Sequence, residues 1–328
     1  MKVTMEDVAR EAGVSRSLVS LAFRGAYGVN EATRDHILAV AGRMNYQPNS
    51  AAATLASRGT STLGVFLLDL HNELFADVHD GIREVAGPAG RELLLTVGSI
   101  GGNLDRPALD LLVRARVDVV IAAGLLLSDD ELAPYRRSLK LVSVMREVPE
   151  ADNVLSDNVL GAGLAIDHLL GLGHRRIVHL ASPRSDGYGG RREGYMRAMK
   201  QAGAKPRVVV SDYSRTEAAK AIAPVLDGAA PPTAIFAHND QTALGVLDAL
   251  HLRNLRVPED VSVVGYDNTS ASRPPGIALT TVDVHAGRLG RLAAEAAIAR
   301  AADPAADPHE VRTTPSLVVR GTTAAPPR

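Results

Sequence analysis

From residue 61 onward, short apolar runs alternate with longer stretches of helical periodicity. The short runs predict buried strands, and they lie at residues 63–68, 93–97, 117–122, 141–144, 177–180, 208–210, 234–237 and 261–264. The stretches between them predict helices, among them residues 73–89, 160–170, 191–202, 240–253 and 287–302. Such alternation is typical of parallel sheets covered by helices on both faces. Because these strands are many for a single sheet, we predict an α/β domain of two doubly wound lobes with a cleft between them.

The first 46 residues have a different pattern, in which glycine separates short amphipathic helices. Thr4 begins a capping box, Ser15 is placed to cap a second helix and Asn30 a third, while Gly13 permits a tight turn after the first. Two short helices joined by a tight turn and braced by a third form a helix-turn-helix domain, whose second helix enters the major groove of DNA. The pattern alone is equally compatible with a three-helix cap that carries solvated charges.

The first turn of the predicted second helix carries polar side chains suited to a DNA surface. Arg16 can bond two acceptors of a guanine or reach a phosphate, and Ser17 can donate or accept a hydrogen bond at either. Ser20 follows on the outward side of the same helix. We therefore predict that these three side chains contact DNA.

The segment after Pro48 predicts a helix that needs a partner surface. It is rich in alanine and spans only about two turns, a length at which an isolated helix is marginal in water because nucleation is costly. Leu55 is its only large apolar side chain, and a leucine in this setting suits insertion between base steps in the minor groove. The alternative is a plain helical linker.

Composition and charge narrow the class of protein. The chain has 328 residues, 46% of them hydrophobic and 22% charged, and it has no cysteine; disulfides and thiolate metal sites are therefore excluded. The first ten residues include Glu6 and Asp7 and have no apolar stretch, which argues against a secretory signal. The longest apolar run, residues 117–127, is interrupted by Asp118 and is too short to span a bilayer. We expect a cytoplasmic protein with no membrane partner.

Polar side chains follow the ends of several predicted strands, where ligands bind in open α/β sheets. The side chains so placed, with one aromatic ring among them, are Asp69, Asn72, Phe75, Arg146, Arg191, Asn239 and Asp267. Carboxylates, amides and arginine beside an aromatic face suit a polyhydroxylated small molecule such as a sugar. Any one of these residues alone is more often a helix cap or a surface ion pair, so the prediction depends on their recurrence.

Sequence motifs of catalysis and of cofactor binding are missing. The chain has no phosphate-binding P-loop, no nucleophile elbow and no zinc-protease motif, and the glycines at 161–163 lack the third glycine of a dinucleotide site. His168, His174 and His179 lie close in sequence without the other ligands of a metal site. We expect no cofactor, no metal and no enzymatic activity. An exported solute-binding protein and an enzyme on an α/β scaffold are the two rival interpretations.

Motifs along nearly the whole chain resemble those of the LacI family of bacterial repressors. They include VTMEDVA at residues 3–9, AGVS at 12–15, NYQPN at 45–49, LGHRRI at 172–177, REGY at 192–195, ND at 239–240 and GYDN at 265–268. The resemblance implies an all-α headpiece (residues 1–46), a hinge helix (47–60) and a dimeric, two-lobed effector domain like periplasmic binding proteins (61–320). We expect the tail at 321–328, with Pro326 and Pro327, to be disordered.

The resemblance also implies roles for individual residues. The implied DNA-binding residues are Thr4, Ser15, Arg16, Ser17, Ser20, Asn49, Ala52 and Leu55. Among them Arg16 and Ser17 would read bases, Asn49 and Ala52 would lie in the hinge at the minor groove, and Leu55 would intercalate. In the long domain, Arg191, Asn239 and Asp267 match positions that hold the effector. The expected protein is a homodimeric repressor of a pseudo-palindromic operator in double-stranded DNA, and the expected effector is a sugar or sugar derivative.

Four positions differ from the family pattern. Leu21 stands where arginine is usual and Arg24 where asparagine is common, and both bear on the operator sequence. Leu74 precedes Phe75 where two aromatic residues are frequent, and Met145 stands where many members have aspartate; both bear on the identity of the effector.

Overall fold

The computed structural model describes residues 3–23, 27–46, 62–183 and 187–327. The chain divides into two compact units, Met1–Thr60 and Ser61–Arg328. The predicted hinge at 47–60, with Asn49, Ala52 and Leu55, lies outside the described residues, and so does Arg24.

The first unit contains three short helices whose starts are capped as the sequence predicts. Helix α1 spans Met5–Glu11, α2 spans Arg16–Phe23 and α3 spans Glu31–Arg43. The Thr4 side chain accepts a hydrogen bond from the Asp7 backbone N–H in a complete capping box. Ser15 Oγ accepts from Leu18 N at 3.2 Å, and Asn30 Oδ1 accepts from Thr33 N at 2.8 Å. These side chains bond backbone donors that the first turn of each helix leaves unpaired.

The apolar faces of the three helices form one small core. Its buried side chains are Val8, Ala9, Ala12, Val19, Ala22, Ile37, Val40 and Ala41. Phe23 and Tyr46 extend it through an edge-to-face contact with ring centroids 5.7 Å apart. Gly13, with φ of +65°, makes the tight turn between α1 and α2.

The second unit begins with a lobe built on a six-stranded parallel sheet, in the order β11-β5-β4-β3-β1-β2. Its strands are β1 (Thr62–Leu67), β2 (Glu92–Val97), β3 (Val119–Ala123), β4 (Lys140–Val144), β5 (Asp152–Ser156) and β11 (Glu310–Thr313). Its helices are α4 (Glu73–Ala86), α5 (Asp105–Ala115), α6 (Asp129–Ser138) and α11 (Ala286–Ala302). We call this part lobe 1.

Lobe 2 is built on a second six-stranded sheet, in the order β12-β10-β9-β8-β6-β7, in which only β12 is antiparallel to its neighbour. Its strands are β6 (Ile177–Ala181), β7 (Arg207–Val210), β8 (Ala234–Ala237), β9 (Ser262–Asp267), β10 (Thr280–Asp283) and β12 (Ser316–Val318). Its helices are α7 (Asn158–Gly171), α8 (Tyr188–Gln201), α9 (Arg215–Leu226) and α10 (Asp240–His251). The predicted α/β architecture with two parallel-sheet lobes is confirmed.

The chain passes between the two lobes three times. The crossings lie between β5 and α7, between β10 and α11, and between β11 and β12. Lobe 1 therefore receives its helix α11 and its edge strand β11 from the end of the chain.

Helices α4 and α11 of lobe 1 approach each other closely at glycine. A Cβ atom added to Gly290 would overlap the Val78 carbonyl oxygen, and one added to Gly81 would overlap the Gly287 carbonyl oxygen. A side chain at Gly287 would by contrast meet no atom nearer than 3.7 Å.

The expectation of a disordered tail is wrong for residues 321–327, which pack on lobe 2. Thr322 Oγ1 accepts from Thr280 N and donates to Val263 O, and Thr322 O accepts from Val263 N. Ala324 N donates to Ser262 Oγ at 3.1 Å. The segment thus bonds backbone groups beside β9 and β10, a role that its Ala- and Pro-rich composition does not reveal.

No helix in the described part of the chain is both long enough and apolar enough to cross a membrane.

Candidate functional site

In the first unit, α2 separates an apolar face from a polar one. Val19 and Ala22 are buried in the core. Thr4, Ser15, Arg16 and Ser17 are exposed, Ser20 is half-buried, and the Ser15 and Ser17 hydroxyl oxygens lie 2.9 Å apart. Of the predicted DNA-binding residues that the structure describes, those on α2 therefore lie together at its start and on its outer face. This is the part of a recognition helix that meets base edges.

In the second unit, the centre of the candidate site is a buried arginine beside a buried aspartic acid. Asp267 ends β9 and Arg191 lies in the first turn of α8, and both are buried. Arg191 Nη2 lies 3.4 Å from Asp267 Oδ1. Arg191 Nη1 donates to His238 O at 2.6 Å, and its Nε donates to Asn158 Oδ1 at 3.0 Å. The guanidinium also lies 3.8 Å from the centroid of the Tyr266 ring, a cation–π contact.

Both the backbone conformation and the pKa of Asp267 are unusual. Its φ of +107° is outside the ordinary range for a residue with a side chain, which marks a strained position of the kind found at binding sites. Burial raises the pKa of the Asp267 carboxyl to about 8, an effect that the Arg191 charge opposes and that Asp240 and Asp283 reinforce. Asp267 Oδ2 has no hydrogen-bond partner among the described residues. A buried polar atom of this kind is costly unless a ligand or water bonds it.

Asn239 and Asp240, which follow β8, have different hydrogen-bonding roles. Asn239 caps α10, because its Oδ1 accepts from Thr242 N at 2.9 Å, while its Nδ2 has no partner in the described part of the chain. Asp240 accepts from Thr269 N, Thr269 Oγ1 and Thr281 Oγ1. Burial raises the pKa of Asp240 to about 6. Asn239 therefore keeps a donor available, whereas Asp240 ties together the segments that follow α10.

Lobe 1 contributes residues that follow β1. Asp69 Oδ1 accepts from His71 N at 3.0 Å, and Asp69 Oδ2 has no partner among the described residues. Asn72 caps α4 through Leu74 N, and its Nδ2 donates to Tyr213 Oη of lobe 2 at 3.0 Å. This bond joins the two lobes directly.

Two predicted site residues lie elsewhere. Phe75 is buried in the core of lobe 1; an added Cβ at Gly124 would lie 3.0 Å from its ring. The Arg146 guanidinium bonds Leu125 O, Leu127 O and Asp129 Oδ1. Arg146 thus braces the segment before α6, while Asp267 and Arg191 come together as the resemblance implies.

A small cavity with room for about one water molecule lies where the lobes meet. Its lining residues are Met145, Ser156, Asn158, Gly187, Arg191, Asp267 and Val284. Ser156 Oγ has no partner among the described residues. At Gly187, with φ of +75°, a Cβ would lie only 2.7 Å from Asn158 Oδ1, so glycine is required there.

Sequence reasoning missed Ser156, Asn158 and Tyr213 as site residues. Ser156 ends β5 and Asn158 follows it, and the apolar pattern does not reveal this strand because Asp152, Asn153 and Ser156 interrupt it. Tyr213 follows β7, so the rule that selected the other strand ends applies to it as well.

The three histidines singled out by the sequence have separate surroundings. His168 lies 2.9 Å from Thr323 Oγ1, and His174 contacts Thr233, Ser262 and Ala324. His179 is stacked on Phe236 in the core of lobe 2, and burial lowers its pKa to about 4. Within the described ranges, no three His, Asp or Glu side chains are grouped as metal ligands.

Comparison with known proteins shows the family. Residues 4–49 match the bacterial regulatory proteins of the lacI family, and residues 166–323 match the periplasmic binding protein-like domain. The HTH-type transcriptional repressor PurR of Photobacterium profundum is 31% identical over 97% of each chain. This chain belongs to the LacI family. It is a DNA-binding transcriptional regulator, as its sequence motifs predicted.

Two further relatives of this LacI-family chain cover almost all of it. The ribose operon repressor of Escherichia coli is 30% identical over 97% of this chain and 99% of its own length. A structure of the lac repressor dimer bound to operator and the anti-inducer ONPF has a TM-score of 0.85 at 27% identity, covering 99% of this chain and 100% of that one. The helix-turn-helix and two-lobed architecture is therefore that of LacI-family repressors.

Proposed function

We propose that this LacI-family chain is a repressor whose affinity for its operator is set by a small neutral sugar or sugar derivative bound between lobes 1 and 2. The proposal assigns residues 1–46 to DNA recognition, 47–60 to a hinge and 61–320 to effector binding. It assigns the protein to the cytoplasm and gives it no catalytic step.

The observation that carries the proposal is the buried carboxyl oxygen Asp267 Oδ2, which has no partner among the described residues although Asp267 lines the cavity. Asp69 Oδ2, Ser156 Oγ and Asn239 Nδ2 are also without partners there. Of these residues, Asp267 and Ser156 line the cavity, and buried polar groups without partners suit the hydroxyls of a sugar, each of which can donate and accept. The space between these groups holds about one water molecule in this arrangement of the lobes, so the proposal requires the lobes to move apart to admit a sugar.

On the DNA side, the proposal assigns base contacts to Arg16 and Ser17 and further contacts to Thr4, Ser15 and Ser20. It assigns minor-groove contacts to Asn49, Ala52 and Leu55 of the hinge. A guanidinium paired with a guanine contributes about 1–3 kcal/mol of discrimination between bases, so Arg16 is the principal specificity residue in this proposal.

We assign the active form to a homodimer, because paired headpieces match the two halves of a palindromic operator. The exposed apolar side chains of Leu95 and Val210 support this assignment. They lie on β2 and β7, each of which is one of the two edge strands of its sheet, and are 40% and 60% exposed.

Effector control requires that the ligand bind one arrangement of the lobes more tightly than another. The Asn72–Tyr213 bond and the Asp267 site both lie where the lobes meet, so a ligand there changes which lobe arrangement is favoured. In this mechanism the preferred arrangement sets the spacing of the two hinges and hence their fit to the minor groove.

The test selects operator duplexes from a randomised pool with the full-length protein and then measures operator affinity by fluorescence anisotropy with and without each sugar of a panel. The variants are Asp267→Asn, Arg16→Ala and, as a control, Asp130→Asn at an exposed acid of α6. We expect an effector to change operator affinity by about 5- to 150-fold in the wild type and in the control.

Asp267→Asn should bind operator normally and lose the response, whereas Arg16→Ala should lose operator affinity and keep the sugar affinity. A full response in Asp267→Asn would refute the assigned effector site. Unchanged operator selection by Arg16→Ala would refute the assigned recognition residue.

A further inference from the structure

The cavity between the lobes has two kinds of lining. Asp267, Arg191 and Ser156 provide polar groups, whereas Met145 and Val284 provide hydrocarbon and a thioether. Val284 is 3% exposed and belongs to the buried core, and Met145 is half-buried and packs against that core.

The backbone fixes Met145 at this cavity. Met145 directly follows β4, and its N–H donates to Val154 O of β5 at 2.9 Å. Its φ of +72° is in the left-handed region, which a residue with a long side chain rarely occupies. The next residue, Arg146, directs its guanidinium to the carbonyl oxygens of Leu125 and Leu127. Of these two neighbours, only Met145 lines the cavity.

The apolar lining limits what a ligand can place against it. A thioether sulfur is only a weak acceptor, and neither Met145 nor Val284 has a side-chain donor. A ligand hydroxyl in contact with them would lose its bonds to water without gaining a good partner, which costs binding free energy. A methyl or methylene group in the same place gains from leaving water.

We propose that Met145 and Val284 select an effector with a hydrocarbon edge, as in a deoxygenated monosaccharide, while the ligand hydroxyls bond Asp267 and Ser156. This proposal rests on the proposed function and narrows its ligand class from a sugar in general to a deoxy sugar. Met145 is the specificity-determining residue.

The left-handed backbone at Met145 provides a matched pair of variants. Asparagine tolerates this conformation better than most residues, so Met145→Asn adds a polar amide to the cavity without added backbone strain. Met145→Leu keeps the lining apolar in the same conformation and is the control. The thermal unfolding midpoint of each variant, compared with that of the wild type, checks that the fold is retained.

The experiment measures dissociation constants by titration calorimetry for sugars that differ by one hydroxyl. The pairs are L-fucose and L-galactose, L-rhamnose and L-mannose, and 2-deoxy-D-ribose and D-ribose. In parallel, the methyl signals of the six methionines are followed by NMR in protein labelled at the methionine methyl groups, and Met145→Leu assigns the Met145 signal.

For at least one pair, we expect the deoxy sugar to bind the wild type and Met145→Leu tighter by on the order of tenfold to a hundredfold. Met145→Asn should abolish or invert this preference, and the Met145 methyl signal should shift on binding. The inference is overturned if the hydroxylated partner binds the wild type equally or more tightly, or if Met145→Asn leaves the ratio unchanged. Absence of binding by every sugar to all three proteins would overturn the proposed sugar site as well.

Discussion

Asp267 is the residue in which burial, backbone strain and charge act together. Its carboxyl is buried, its backbone is left-handed, and one of its oxygens has no partner among the described residues. Arg191 compensates only part of the burial, since the two groups are 3.4 Å apart and the guanidinium also bonds Asn158 and His238. A residue that stabilised only the fold would be better placed with both oxygens bonded, so its position favours a binding role.

The buried carboxyl predicts a pH dependence of stability. Its pKa rises from 3.8 to about 8 on folding, so between these values the folded chain holds a proton that the unfolded chain has lost. The free energy of unfolding should therefore fall as the pH rises through this window. The neutral variant Asp267→Asn lacks this contribution, and its stability relative to the wild type should increase from pH 4 to pH 8 in urea denaturation. Parallel pH profiles for the two proteins would contradict the assignment.

At the scale of elements, the close contact between α4 and α11 contributes more to the stability of lobe 1 than the helix propensity of either segment does. The contact requires the absence of a side chain at Gly290, where an added Cβ would overlap the Val78 carbonyl. Glycine costs helix propensity relative to alanine, and here close packing of the two helices compensates for that cost.

A pair of glycine substitutions in α11 tests this contact. Gly290→Ala should lower the free energy of unfolding by about 1–3 kcal/mol because α4 must move away. Gly287→Ala, in the same helix with its nearest neighbour at 3.7 Å, should leave stability unchanged or slightly higher. Chemical denaturation measures the free energy of unfolding of both variants, and equal changes in it would contradict a specific contact at Gly290.

The C-terminal segment is a second element whose contribution can be measured. Ending the chain after Arg320 removes six hydrogen bonds of Thr322 and Ala324 to lobe 2. At about 1 kcal/mol for each bond lost, the free energy of unfolding should fall by roughly 6 kcal/mol. Ending the chain after Ala324 keeps those bonds and is the control, and a thermal melt that is the same for both truncations would refute the role of this segment.

The sequence predicts most of the fold and some of the residues that come together at the candidate site. The helix caps at Thr4, Ser15 and Asn30 follow from local chemistry and are confirmed. Strands β5, β10, β11 and β12 escape the apolar pattern because they are short and carry polar residues that bond neighbouring segments. The apolar pattern also does not show where long side chains bond. Arg146 bonds backbone carbonyls of its own lobe, which depends on tertiary geometry and not on position after a strand.

At the scale of the whole molecule, regulation requires that a ligand between the lobes alter a contact with DNA. Linkage makes this coupling reciprocal, so operator must change effector affinity by the same factor as effector changes operator affinity. The predicted hinge at 47–60 is the segment through which the two events communicate in the proposed mechanism.

The hinge gives a prediction that separates its role from effector binding. Leu55→Ala should weaken operator binding, because no apolar side chain then enters the base step, and should leave the effector dissociation constant of the DNA-free protein unchanged. Anisotropy and calorimetry measure the two quantities. Amide exchange at residues 49–57 should also slow when operator is added, and equal protection with and without DNA would refute coupling through this segment.

The three crossings between the lobes have a consequence for the order of synthesis. Because β11 and α11 come from the end of the chain, a ribosome that has made residues 1–280 has produced a lobe 1 with one strand edge unpaired and one helix face uncovered. A nascent or prematurely terminated chain is therefore exposed to proteolysis and aggregation until its last forty or so residues emerge. Neither lobe can be excised or grafted as a continuous piece of the gene.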